Sequence, residues 1–236
     1  YVAVLSMCVC LLFLPLGKMN SFLSFDGDFL VFIYFLGMLR FFLILASFDT
    51  GSSFEGMGAS REALFSILNE ISFFLVLLVL ILVNHTLSIS GMVSGVSFDS
   101  WKMNGSIFIL VILSLFITFL TENSRIPVDD PNTHLELTMV HEVMILDFSG
   151  PELGLMFYAA ALKHWIFASF ISYILFPFHF EHVGLNVGLF IISIFGIGII
   201  VGIIESSMAR LRLIRVPQLL VGASVSSLIA LAVLFK

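Results

Sequence analysis

Residues 121–151 gather Glu122, Arg125, Asp129, Asp130, His134, Glu136, His141, Glu142 and Asp147 between two long apolar runs. Carboxylates crowded against low-dielectric spans repel one another and lose hydration, and both effects raise their proton affinity toward neutrality. Such a block is suited to exchanging protons as a coupled set or to docking a charged partner. Metal binding is the other chemistry these residue types allow, with His134, Glu136, His141 and Glu142 as conceivable ligands. Their order is not His-Glu-x-x-His, and on a helix the neighbours His141 and Glu142 point about 100° apart, so no metal site is assigned. The plainest alternative is a solvated loop whose charges cap helices.

A second group of charges lies inside the apolar runs themselves: Arg40, Glu70, Lys163 beside His164, and Glu205. Each costs several kcal/mol in a membrane unless paired or hydrated. Glu70 and Lys163 suit a proton relay or an ion pair with one another, whereas Arg40 and Glu205 could snorkel to the interface. Haem ligation by His164 would need a second intramembrane histidine, for which His85 is the candidate.

The elements that carry these groups follow from composition. The chain of 236 residues is 60% hydrophobic and only 11% charged, with 27 phenylalanines, and its mean hydropathy is +1.15. That places it outside the soluble globular range and makes it an integral membrane protein. Apolar runs long enough for the ~20 helical residues of a span occur at about 28–48, 63–87, 104–121, 153–178, 184–207 and 217–236, with a partial one at 1–16. The fold expected is an all-α, polytopic transmembrane bundle with about seven visible spans, forming one domain over 1–236. Because Tyr1 already lies in an apolar run with no leader pattern before it, a further amino-terminal span is expected ahead of it.

Pro127 and Pro131 oppose helix in the residues before them. Thr133 with Glu136 reads as a capping box, and 134–147 as an amphipathic helix with Leu135, Met139, Val143 and Leu146 along its apolar stripe, stopped by Ser149-Gly150-Pro151. Such a helix is too short and polar to cross, and would lie at the surface or tuck between spans. Gly198 and Gly202 have the small-xxx-small spacing of packed transmembrane helices. Cys8 and Cys10 are the only cysteines, too few for a disulfide framework or a four-cysteine metal site.

Alternate loops differ in basic residues. Arg61, Arg125, Arg210, Arg212 and Arg215 fall on one side, Lys18, Lys102 and Lys236 on the other. The positive-inside rule puts loops 49–62, 122–150 and 208–216 in the cytoplasm, which makes 121–151 a cytoplasmic acidic coupling loop. Nothing in the chain resembles a nucleic-acid surface.

The run Glu122-Asn-Ser-Arg125-Ile-Pro127-Val-Asp129-Asp-Pro131, followed by Glu136-Leu137, resembles the cytoplasmic loop after the fifth span of the quinone-site membrane subunit of respiratory complex I, with Val128 in place of an aromatic residue. Gly58-Ala-Ser-Arg61, with Glu70 nine residues later, is similar to that family's Gly-x-x-Arg…Glu pattern. The likeness is closer still to the branch found in formate hydrogenlyases, hydrogenase-4-like and other energy-converting nickel–iron hydrogenase complexes. Its signatures look almost intact in Asp49-Thr-Gly-Ser-Ser, Gly58-Ala-Ser-Arg61-Glu62 and Glu205-Ser-Ser-Met208-Ala-Arg210-Leu-Arg212-Leu, and Arg215-Val-Pro217-Gln218 stands where complex I has Arg-Tyr-Asp-Gln.

The resemblance implies an eight-span subunit of a prokaryotic cytoplasmic membrane that makes no bonds itself but couples redox chemistry to proton or sodium translocation. Hydrophilic hydrogenase or electron-transfer subunits would dock on its cytoplasmic face, carrying iron–sulfur clusters and, in some complexes, a nickel–iron centre; antiporter-like subunits would adjoin it in the bilayer. Glu70, Glu122, Asp129, Asp130, Glu136, His141, Glu142, Asp147, Lys163 and Glu205 are the expected coupling groups, and Arg40, Arg61, Arg125, Arg210, Arg212 and Arg215 their charge partners or docking residues. No cofactor is expected on this chain. The alternatives are a quinone-binding complex I subunit proper, an independent ion carrier, or a structural anchor alone.

Overall fold

In the computed structural model, which describes residues 1–17, 19, 21–129, 139–177 and 182–235, the chain folds into α1 (Val2–Phe13), α2 (Asp28–Asp49), α3 (Ser53–Asn84), a short α4 (Ile89–Ser94), α5 (Phe98–Glu122), α6 (Gly150–Leu175), α7 (Val183–Ser207) and α8 (Val216–Leu234). Single 3₁₀ turns at Glu142–Ile145 and Leu213–Arg215 precede α6 and α8. Six of the helices are long and apolar enough to cross a membrane, α8 together with the turn before it, and α1 is a shorter apolar helix. The chain is an all-α, integral membrane bundle.

Two boundaries differ from the sequence expectation in ways that matter. The helix expected from residue 63 begins at Ser53, so much of the anticipated loop 49–62 is helical and Arg61 and Glu62 ride on α3. At 32 residues and 1.5 Å per residue, α3 is ~48 Å long against a hydrocarbon core of ~30 Å; hydropathy located only its apolar portion. The amphipathic helix expected at 134–147 falls partly on residues 130–138, outside those described, as do Asp130, Thr133, His134, Leu135 and Glu136. What is described of it is not an α-helix: its only helical part is the 3₁₀ turn Glu142–Ile145. Met139 and Val143 are buried but Leu146 is exposed, so the anticipated stripe does not continue to its end.

Apolar side chains fill the interior and also cover the outside of the bundle, with polar groups buried between helices. Leu64, Ile67, Ile71 and Phe74 of α3 are exposed, while Asn69 and Ser72 on the same helix are fully buried. Glu62, Ser66, Asn69 and Ser72 follow one another at helical spacing and so share a face. Helices α3, α5 and α8 pack together, α1 joins α2 to α6, and α7 packs on α6. Where they meet, Ser72 and Ser114 hydroxyls are 2.9 Å apart and Ser114 donates to the Ala223 carbonyl of α8 at 3.0 Å. Phe73, Phe167 and Phe170 form the aromatic centre between α3 and α6, with ring centroids 5.2 Å apart for Phe73–Phe167. Gly198 and Gly202 meet nothing within 4 Å of a built Cβ; their spacing serves no packing contact among the described residues.

Candidate charge-coupling site

The carboxyl ends of α2, α5 and α7 and the amino ends of α3, α6 and α8 lie at one end of the bundle, with Arg125, Arg210, Arg212 and Arg215 in the segments joining them and Arg61 in the amino-terminal part of α3. Just inside this arginine-bearing end, four charged side chains from four helices converge. Arg40 of α2 places Nη2 2.9 Å from Glu70 Oε1 and Nη1 3.4 Å from Glu122 Oε1. Lys163 of α6 places Nζ 3.6 Å from Glu122 Oε2. Two cations and two carboxylates balance, which is the condition for charges to persist away from water. Glu122 is the hub, accepting also from Asn69 Nδ2 at 2.7 Å. Arg40 Nη1 donates to the Ser66 carbonyl at 3.3 Å and Asn69 Nδ2 to the Thr118 carbonyl at 3.3 Å.

The burial of the four is unequal. Side-chain exposure is 3% for Lys163, 5% for Glu122 and 8% for Arg40, but 45% for Glu70. Arg40 therefore does not snorkel; it is held inside by two carboxylates. Glu70 pairs with Arg40 rather than with Lys163, and its outer side is presented beyond the chain.

A second layer sits closer to the arginine-bearing face. Asp129, buried, faces Arg210 Nη2 at 3.1 Å. Its other oxygen accepts the backbone N–H of Val140 at 2.9 Å and of His141 at 3.3 Å. One carboxylate thus joins the segment before α8 to the segment before α6, and the Leu211 N–H to Pro127 carbonyl bond, 2.9 Å, ties the same end of the bundle again. Arg61 Nη1 donates to the Met139 carbonyl at 2.9 Å. Gly58 lets the 139–147 segment lie directly on α3: a Cβ there would run into Val143 and come within 3.1 Å of the Val140 carbonyl oxygen. Glu55, fully buried in the first turn of α3, accepts the Asp147 N–H at 2.9 Å and the Thr50 hydroxyl.

His141 connects the two layers. It lines a small cavity with Lys163, Leu39, Leu43, Met156 and Ala159. Loss of hydration, reinforced by the Lys163 ammonium and opposed by Glu122, pushes its pKa down to about 4 from 6.5. The imidazole is thus neutral near pH 7.

The remaining expected residues are dispersed. Arg125 and Glu205 form their own half-exposed pair at 3.3 Å, apart from the cluster. Arg212, Arg215 and Asp147 are exposed, and Glu142 opens the 3₁₀ turn. His164 lies against the Phe119 ring, centroids 4.8 Å apart, while His85 caps the far end of α3, so the two histidines do not form a pair. Sequence reading missed Asn69, Glu55 and Glu62 as site residues. The helical spacing of polar residues along α3 is the signal that groups Glu62 and Asn69; the expected loop at 49–62 separates Glu55 and Glu62 from that helix, although Glu62 does fall in the Gly58-Ala-Ser-Arg61-Glu62 motif.

Comparisons with known proteins agree with this architecture. The family model described as NADH dehydrogenase matches residues 1–235. Among curated proteins, hydrogenase-4 component C of Escherichia coli (strain K12) is 34% identical over 178 residues, 75% of this chain and 55% of that protein. Formate hydrogenlyase subunit 4 of the same organism is 31% identical over 214 residues, 87% of this chain and 68% of that protein. The chain thus spans between about half and two thirds of these relatives. Among solved structures, a chain of the membrane-bound sulfane sulfur reductase, an archaeal respiratory membrane complex, superposes with a TM-score of 0.76 at 18% identity, covering 97% of this chain and 77% of that one.

Proposed function

This chain belongs to the NADH dehydrogenase family of complex I-like membrane proteins, and on that premise we propose that it is the membrane-arm subunit of a complex I-like, redox-driven proton or sodium pump. The carrying observation is the buried, charge-balanced cluster Arg40–Glu70–Glu122–Lys163 lying beneath a segment clamped by Asp129 and Arg210. Its relatives hydrogenase-4 component C and formate hydrogenlyase subunit 4 favour a hydrogenase-type arm as the electron-transfer partner.

In this reading the arginine-bearing face is cytoplasmic, and the exposed Arg212 and Arg215 meet the hydrophilic subunits. Redox change in those subunits alters the charge felt at the 122–150 segment. Protonation of Asp129 would weaken its hold on Arg210 and on the Val140 and His141 amides together, because a neutral carboxyl is a poorer acceptor for all three. Release of that segment moves His141 in the cavity it shares with Lys163. The Lys163–Glu122 pair then loosens, and the cluster exchanges partners. Coupled carboxylates titrate as a group, so the transferred proton belongs to the set. Lys163, in a cavity that α1 and α2 also line, is the group that hands the change toward antiporter-like neighbours, while half-exposed Glu70 presents it to the bilayer side. The iron–sulfur and nickel–iron centres belong to the partner subunits.

The test is Glu122→Gln in the assembled complex in vesicles, with ion uptake per electron measured in sodium-free and sodium-containing buffer. Electron transfer should continue under an uncoupler while coupled uptake is lost. Unchanged uptake per electron would remove the cluster from the mechanism.

A further inference from the structure

Between the two layers of charge lies a narrow, partly open cavity of about 10 Å³, lined by Glu62, Phe65, Ser66, Thr121, Glu122, Ser124, Val128, Asp129 and Val140. Its two ends are the carboxylates already described, Glu122 on the buried cluster and Asp129 on the loop clamp. Both have cationic partners. Glu62 lines the same cavity, is half-buried, and makes no hydrogen bond or ion pair among the described residues. That is room for about one water, and the carboxylates and hydroxyls of the lining supply the polar partners it needs. Beyond the cavity lining, the groups that hold Glu122 have unmet polar atoms of their own. The Arg40 Nε–H and Asn69 Oδ1 are a buried donor and a buried acceptor without a protein partner among the described residues, and both side chains directly contact Glu122. Buried polar atoms in folded proteins are paired, by ordered water where protein does not reach them.

We propose that this cavity is the hydrated entry for protons to the cluster and that Glu62 is its exchanging carboxylate. This rests on the ion-coupling reading above and adds to it a route and a residue. Glu62 is suited to the task because it is unpaired among the described residues and only half-buried, whereas Glu122 is buried and Asp129 is committed to the Val140 and His141 amides. A proton from water at the cytoplasmic face adds to the Glu62 carboxylate. It leaves through cavity water to the Glu122 carboxylate, and Glu62 returns to its ionised form; one proton moves and no electron is transferred. Ser66, Thr121 and Ser124 line the way. The helical spacing of Glu62, Ser66 and Asn69 on α3 keeps entry group, cavity wall and Glu122 partner on one face.

The experiment measures proton uptake and electron transfer by the assembled complex in vesicles carrying Glu62→Gln, Glu62→Asp, Ser66→Leu or Glu122→Gln. Glu62→Gln should slow coupled proton uptake by about tenfold or more, as loss of a general acid–base group does, with uncoupled electron transfer retained and the slowing relieved at lower pH, where hydronium is more abundant. Glu62→Asp should recover most of the rate. Ser66→Leu fills the cavity and leaves every carboxylate in place; it should slow uptake in the same way, and it carries the test if Glu62→Gln does not assemble. Normal uptake in Glu62→Gln, or in Ser66→Leu where the former fails to assemble, together with loss in Glu122→Gln, overturns the entry route alone. Normal uptake in both Glu62→Gln and Glu122→Gln overturns the ion-coupling reading as well.

Discussion

The two ends of this bundle bury polar groups in different ways. At the end far from the arginines, Asp28 is fully buried and accepts the Ile89 N–H at 2.7 Å. There Trp101 Nε1 donates to the Ile174 carbonyl at 2.8 Å, and the Tyr173 hydroxyl takes the Gly17 N–H at 3.1 Å and donates to the Pro15 carbonyl. Each side chain closes off backbone that helix ends leave unsatisfied, and backbone does not change charge. At the arginine-bearing end side chains also hold backbone, as Glu55 and Asp129 do, but there ionisable groups pair with one another besides: Glu122 with Arg40 and Lys163, Asp129 with Arg210. Pairs of that kind are neutral stability devices at best, but they respond when a proton arrives. The first end is built to stay fixed, and the second to be rearranged.

The largest difference between the ends should appear on removing a hub. Glu122→Ala strands Arg40 and Lys163 and should destabilise the protein by about 3–5 kcal/mol, as broken buried ion pairs do; thermal unfolding in detergent reads this. Asp28→Ala leaves one backbone donor unpaired and should cost about 1–3 kcal/mol, with ion uptake per electron unchanged. Equal losses of coupling in the two variants would erase the distinction. Next in size is Gly58→Val, which pushes the 139–147 segment off α3 by overpacking, at about 1–3 kcal/mol. It should expose that segment to proteolysis while the opposite end stays protected.

At the arginine-bearing end His141 should carry a pH effect. With the folded-state pKa of His141 pushed down to about 4 from 6.5, the unfolded chain binds more protons than the folded one between these values. Stability should fall as pH drops through that window and be flat above it. Thermal unfolding of His141→Asn beside the parent should show this slope reduced. The smallest effect is expected for Arg125→Gln: its half-exposed pair with Glu205 should contribute no more than about 1 kcal/mol.

How far the sequence disclosed this contrast differs between its parts. Spans were visible because apolar runs of sufficient length have few other uses, and the resemblance of 122–131 and 58–70 pointed to the correct family. The arginine-bearing end was visible as an excess of charge. The pairing was not, because Arg40 meets Glu122 from a distant part of the chain and no local period records that. Glu62 and Glu55 stayed hidden for another reason: α3 extends beyond the apolar run by which it was located, so their shared helix was read as loop. The 134–147 helix had a sound cap and stripe, yet contact with Gly58 and the Asp129 clamp fix its described part in a tighter turn.

The most direct test compares carboxyl groups at the two ends under redox drive. Infrared difference spectra of the assembled complex, reduced minus oxidised, report carboxyl groups that change protonation or hydrogen bonding. A carboxyl band present in the parent and in Asp28→Asn but lost in Glu122→Gln is the expected result. A spectrum identical in the parent and Glu122→Gln would contradict a redox-responsive cluster at the arginine-bearing end.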